Sequence, residues 1–257
     1  KSGAIKLVTE PIGTRELFIF DRVEPDPSLN LVTEGVKECL SFQPDAVIAL
    51  GGGSAIDEAK AILFFAKKTG QLPGDIPLTA IPTTSGTGSE VTSFAVVTDH
   101  AKGVKYPLVD PSLIPHQAIL DVDLVKTVPP GVTADTGLDV LTHALEAYVS
   151  TKSTLFSDAL AEKAALAVFS HLPRAFDNGG DLTAREILHH ASCMAGLAFD
   201  KASLGLCHAI AHNVGGRLKV PHGRANAILL PHVIAFNAGL TDYGQKSYPP
   251  SAEKYSR

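Results

Sequence analysis

Apolar positions follow two different rhythms along this chain. In the first half, short apolar runs alternate with longer stretches of helical periodicity. Residues 17–20, 45–50, 78–82 and 91–98 are predicted as strands, with shorter candidates at 107–109 and 118–120. Between them, residues 29–40 and 55–68 carry apolar residues at helical spacing, the first behind an Asp26-Pro27-Ser28 turn whose Ser28 can cap a helix. Strands and helices alternating at this spacing predict an α/β unit with a mainly parallel sheet covered on both faces. Beyond Pro129-Pro130-Gly131 the strand signal fades, and residues 133–149, 156–171, 184–198, 203–215 and 225–237 all read as helices. The expectation is therefore an α/β domain over 1–128 and an all-helical domain over 129–257.

Composition narrows the classes. Of 257 residues, 45% are hydrophobic and 19% charged, enough for a large core and against disorder. The formal charge of −5 argues against nucleic acid as a partner, because a phosphate backbone needs a basic face. No apolar run is long enough to span a membrane. The cysteines, Cys39, Cys193 and Cys207, are too scattered for a disulfide framework and point to a reducing, cytoplasmic setting. The chain opens on Lys1 and its polar tail, 242–257, stops in mid-pattern, so both ends are expected to be incomplete.

Two loops invite a nucleotide. Gly51-Gly52-Gly53-Ser54 follows a predicted strand and opens a helix, with Asp57 in the first turn. Glycines there admit a close phosphate, and the free N–H groups and positive end of the helix hold the anion. The spacing is not GxGxxG, so the usual Rossmann fingerprint does not apply. Residues 83–90 form a second loop with five hydroxyl side chains and two glycines, at the carboxyl end of a strand where ligands of parallel sheets collect. Either loop alone could be a tight turn satisfying its own backbone. Together in one α/β unit they favour a bound nucleotide.

The helical half holds a candidate metal set. Asp139 and His143 lie one helical turn apart, His208 and His212 repeat that spacing, and His222 follows a short interval later. A carboxylate with several imidazoles suits a divalent first-row cation. Spacing alone leaves open which of His208, His212 and His222 are ligands. His232, directly after Pro231, reads as structural, and His100, His116, His171, His189 and His190 have no companion pattern.

Five strings now carry a resemblance: GGGSAIDEAK (51–60), IPTTSGTGSEVT (81–92), GLDVLTHALEAY (137–148), GLCHAIAH (205–212) and PHGRANAILLPHV (221–233). In this order they resemble the iron-containing (group III) alcohol dehydrogenases of the dehydroquinate synthase-like fold, closest to the propanol dehydrogenase-type members. The resemblance implies reversible hydride transfer between a short primary alcohol or aldehyde and NAD(H) or NADP(H). It implies Fe²⁺, with Zn²⁺ as the alternative, held by Asp139, His143, His208 and His222. His212 matches a histidine that approaches the nicotinamide without ligating. Gly52, Gly53, Ser54 and Asp57 match the pyrophosphate loop, and Thr83, Thr84, Thr87 and Lys105 match further cofactor contacts. Phe94 and Phe199 fall where substrate-pocket residues sit. A homo-oligomer, in some members within a bacterial microcompartment, is the implied assembly. The family's first strand, with the acidic residue that helps select NAD over NADP, would precede Lys1. The alternatives are a zinc-dependent polyol dehydrogenase of the same fold and, from another class, a non-catalytic, truncated nucleotide-binding module.

Overall fold

The computed structural model of the chain describes residues 3–218 and 220–240, so the polar tail at 242–257 lies outside the described residues. After a short helix α1 (Ala4–Thr9), helix α2 (Leu29–Phe42) begins where its cap is expected, with Ser28 Oγ accepting the Leu31 N–H. Then follow β1 (Val47–Gly51), α3 (Gly53–Lys68), β2 (Leu78–Pro82), β3 (Phe94–Asp99), β4 (Val104–Val109), β5 (Gln117–Ala118) and α4 (Val122–Val125). Strands β1, β2 and β5 pair in parallel in that order, with Val47 opposite Leu78 and Gly51 opposite Pro82. Ala49, Leu78 and Ala80 of this sheet close a core with Ile56 and Leu63 of α3.

Two strand expectations change. The predicted run at 91–98 splits into a 3-10 turn (Ser89–Val91) and β3, which pairs antiparallel with β4 as a separate hairpin. Parallel pairing needs a crossover of a dozen or more residues, and the connection between β3 and β4 is far too short. The predicted strand at 17–20 is not a strand: Leu17, Phe18 and Ile19 are exposed. Among the described residues β1 pairs only with β2, so no strand supplies that segment with a ladder. A cavity of ≈ 840 Å³ lies here, lined by Phe18, Phe20, Ile48 and Glu58.

The second half is helical as expected: α5 (Pro130–Val149), α6 (Leu155–Asp177), α7 (Leu182–Ala202), α8 (Leu206–Leu218) and α9 (His222–Asn237). Pro130 occupies the first turn of α5, where a missing N–H costs nothing. Thr154 and Ser157 form a reciprocal capping box on α6, and Asp181 caps α7. Buried alanines, among them Ala144, Ala164, Ala191, Ala195 and Ala198, let the helix backbones approach closely around one core.

Helix α7 ties the two halves together. Asp200 accepts both the N–H and the hydroxyl of Ser93 at 2.7 Å, and His189 Nδ1 lies 3.0 Å from Ser85 Oγ. Gly88, at φ 63°, lies so close to α7 that a Cβ there would meet Gly196 Cα at 2.6 Å. Buried Arg185 donates to the carbonyls of Val125 and Val128, holding the stretch that leads into α5.

Candidate active site

Three helices build one polar cluster. Asp139 comes from α5, His208 from the first turn of α8, and His222 from the start of α9. Their ligand atoms lie within 4.8 Å of one another. Asp139 Oδ1 is 3.6 Å from His208 Nε2 and 3.7 Å from His222 Nε2. Ligands at ~2.0–2.2 Å around one tetrahedral cation would stand about 3.3–3.6 Å apart, so the donor set fits a divalent metal. Asp139 is held well below the usual carboxylate range: burial opposes its charge, but the imidazoles packed around it favour the charge more. An anion and two imidazoles facing inward therefore stay ready for a cation.

Glycine decides how close these helices come. A Cβ on Gly223 would lie 2.0 Å from the Asp135 carbonyl oxygen and 3.2 Å from Asp139 Cβ. Only glycine lets α9 start against α5, and that contact brings His222 beside Asp139. Arg224 locks the junction with two bonds to the Asp135 carboxylate, at 3.0 and 3.1 Å.

Two supporting residues were not singled out in the sequence. Glu146 is buried on α5 and its oxygens accept the Cys207 N–H at 2.6 Å and the His208 N–H at 3.3 Å, capping α8. Its Oε2 also takes the His208 Nδ1–H at 2.6 Å, which leaves Nε2 bare and aimed at the cluster. Burial works against a charge on His208, while the Asp139 and Glu146 carboxylates pull its pKa upward. With Nδ1–H given to Glu146, the neutral ring presents Nε2 as an acceptor to the Asn226 amide nitrogen, 3.0 Å away. Asn226, fully buried one turn after His222, is the second missed residue. The signal for both was one more step of helical spacing: Asp139–His143–Glu146 and His222–Asn226. Cys207 is no ligand in this arrangement: burial, with Glu146 and Asp139 nearby, pushes its thiol up to about 12.

His143 stands beside the converging three rather than among them. Its ring stacks on His208 at 4.4 Å and on Phe199 at 4.5 Å, and its buried Nδ1 has no hydrogen-bond partner among the described residues. Burial holds it neutral, with a pKa near 3. His212 lies at the mouth, exposed, its ring 4.8 Å from that of His222 and 6.2 Å from that of His208. Desolvation, then His222, His208 and Lys105, lower its pKa to about 4. Phe94, from β3, meets Phe199 at 6.2 Å and extends an apolar wall next to His143.

The two polar loops touch. Gly52 is the N-cap of α3 and makes no side-chain cap; the Ala55 N–H turns back to the Gly52 carbonyl, and the Gly53 and Ser54 N–H groups lead the helix at its positive end. A Cβ on Gly52 would meet Thr84 Oγ1 at 3.2 Å, and one on Gly53 would meet Thr87 Cγ2 at 2.5 Å. The Thr83 N–H donates to the Gly51 carbonyl at 2.9 Å. Ser54 Oγ accepts the Asp26 N–H, and Asp26 in turn takes Lys105 Nζ at 2.6 Å. The Lys105 charge is felt by both His212 and His222, so it spans loop and cluster. Asp57 points inward instead: its oxygens are taken by Ser89 Oγ at 2.5 Å and the Val96 N–H at 3.0 Å. His189, given no role from sequence, contacts this second loop through Ser85.

Comparison with known proteins places the chain in a family. Residues 1–122 match the iron-containing alcohol dehydrogenase family model, and residues 133–255 match the C-terminal model of the Fe-containing alcohol dehydrogenase family. A 1-propanol dehydrogenase PduQ from Citrobacter freundii is 53% identical over 94% of this chain, which spans 62% of that relative's length. The sulfoacetaldehyde reductase of Bifidobacterium kashiwanohense, solved with NAD+, superposes with a TM-score of 0.86 at 33% identity, covering 92% of this chain and 66% of the other. The iron-containing alcohol dehydrogenase of Thermococcus thioreducens gives a TM-score of 0.85 at 36% identity, covering 98% of this chain and 72% of the other. The chain belongs to the iron-containing alcohol dehydrogenase family.

Proposed function

We propose that this chain carries the active site of a nicotinamide-dependent dehydrogenase acting on short primary alcohols and aldehydes. The observation that carries the reading is the convergence of Asp139, His208 and His222 on one point, beside the apolar Phe94–Phe199 wall. A divalent cation there, iron by family, would supply Lewis-acid polarisation of a substrate oxygen, and a nicotinamide would accept or give the hydride. Asp139, His208 and His222 would hold the cation, with His143 turning in from the adjacent stack as a fourth ligand. Gly52, Gly53, Ser54, Thr83, Thr84 and Thr87 would line the dinucleotide's path, and Lys105 would add a positive charge near it. Asp57 shapes this loop from below. Phe94 and Phe199 would exclude water from the reacting carbons. His212, neutral near pH 7 and open to solvent, would move a proton between substrate and water at its free ring nitrogen.

The wall predicts selectivity. An apolar surface cannot hydrogen-bond a second hydroxyl, and burying one unpaired costs about 1–3 kcal/mol, or roughly five- to a hundredfold. The test is NADH and NADPH oxidation by full-length protein loaded with Fe²⁺ or Zn²⁺, comparing kcat/KM for propanal and lactaldehyde. Propanal is expected to win by that factor. Equal activity on lactaldehyde refutes the apolar wall, and absence of turnover with any short aldehyde refutes the dehydrogenase.

A further inference from the structure

We propose that the Asn226 carboxamide is a placeholder for the cation: it holds the ligands in position while the centre is metal-free, and turns away when metal binds. This rests on the metal-centre reading above. Asn226 Nδ2 lies 2.7 Å from Asp139 Oδ1, 3.0 Å from His208 Nε2 and 3.2 Å from His222 Nε2. These are the same three atoms whose spacing fits a cation.

The orientation of the amide follows from chemistry. An ionised carboxylate only accepts, so the group 2.7 Å from Asp139 must be the NH₂ end. The other end, Oδ1, faces the Cys207 thiol at 3.7 Å. Without this donor the cluster would be a carboxylate and two imidazole lone pairs turned on one another, all buried or half-buried. One amide proton meets Asp139 Oδ1, and the other lies towards the two imidazole nitrogens, so the donor stands between all three. The same lone pairs cannot serve an N–H and a cation together. Metal uptake must therefore break these bonds, and Asn226 opposes it while keeping its site in shape.

The test uses the full-length protein, stripped by chelator and then titrated with Zn²⁺. Asn226→Leu keeps the branched shape, with somewhat bulkier methyl ends, but removes the donor, and Asn226→Ala removes both. In each variant the metal-free Tm is expected to fall while the Zn²⁺-loaded Tm stays close to wild type. Zn²⁺ uptake is expected to quicken by about tenfold or more (~1.4 kcal/mol). An equal fall in both states with Asn226→Ala, restored by Asn226→Leu, would mean a packing role and overturn the proposal. Should the variants fold poorly, wild-type protein labelled at asparagine nitrogen decides. The Asn226 side-chain protons are expected to be protected from exchange in the metal-free form and released on loading, and an unchanged signal overturns the placeholder alone. A wild-type protein that takes up no divalent cation overturns the metal-centre reading, and this inference with it.

Discussion

Glu146→Gln isolates the residue behind the cluster. The substitution keeps size and shape, but an amide has one accepting end where the carboxylate has two. Glu146 serves two sets of donors: the Cys207 N–H at 2.6 Å on one side, and the His208 Nδ1–H at 2.6 Å on the other. If the glutamine oxygen stays on Cys207, its NH₂ faces His208. The ring must then shift its proton to Nε2, the nitrogen that faces Asp139. If the oxygen turns to His208, a buried backbone N–H at the start of α8 loses its acceptor, at about 1–3 kcal/mol. Removing such a partner behind a ligating histidine typically weakens metal binding by about 10–100-fold, or ~1.4–2.8 kcal/mol. The expected outcome is that loss in a chelator-competition titration. Glu146→Asp, which keeps both accepting ends, should recover part of it. The pH response has a definite sign. His208 and the α8 N–H groups hold Glu146 below its ordinary 4.5 despite burial. Its stabilisation is therefore complete above 4.5 and is lost as pH falls through the lower folded value. Acid denaturation of Glu146→Gln should lack that component. Metal affinity within twofold of wild type, with an unchanged acid transition, would refute the coupling of Glu146 to His208.

Gly223→Ala places a methyl group 2.0 Å from the Asp135 carbonyl oxygen. Helix α9 must back away, costing about 1–3 kcal/mol of stability and carrying His222 out of the cluster, so both Tm and metal content should fall. Gly53→Val should abolish dinucleotide binding while metal affinity persists. Its Cβ meets Thr87 at 2.5 Å, so both loops are displaced as well as any phosphate, and wild-type NADH affinity would show the loop to be misassigned. His212→Ala should keep its metal but lower turnover and alter the pH profile of kcat, since the ring sits at the mouth and outside the converging ligand set. Loss of metal from that variant would make His212 a ligand.

Periodicity alone reached most of the architecture. Helical spacing placed the helices of the second half, because a 3.6-residue repeat of apolar residues has few other ways to bury itself. Capping and glycine signals at Ser28 and Gly52 marked the starts of α2 and α3, because these depend on local backbone chemistry. The i, i+4 spacing put Asp139 beside His143 and His208 beside His212, since a helix brings such residues to one face whatever surrounds it. Which histidine faces which carboxylate was beyond that logic. Spacing could not separate His212 from His222, because the choice depends on α9 meeting α5 at Gly223, a contact between residues far apart in sequence. Asp57 looked like a cofactor contact beside the glycine loop, yet Ser89 and Val96 draw its carboxylate inward from another part of the chain. The run at 17–20 had the composition of a buried strand and stays exposed, because a strand needs a neighbour and composition does not provide one. Glu146 and Asn226 showed only as one more step of helical spacing, and His189 had no companion pattern. The sequence determined the elements and the donor types, which are local properties. The tertiary structure alone decided which donors meet, because that depends on how closely helices distant in sequence can approach.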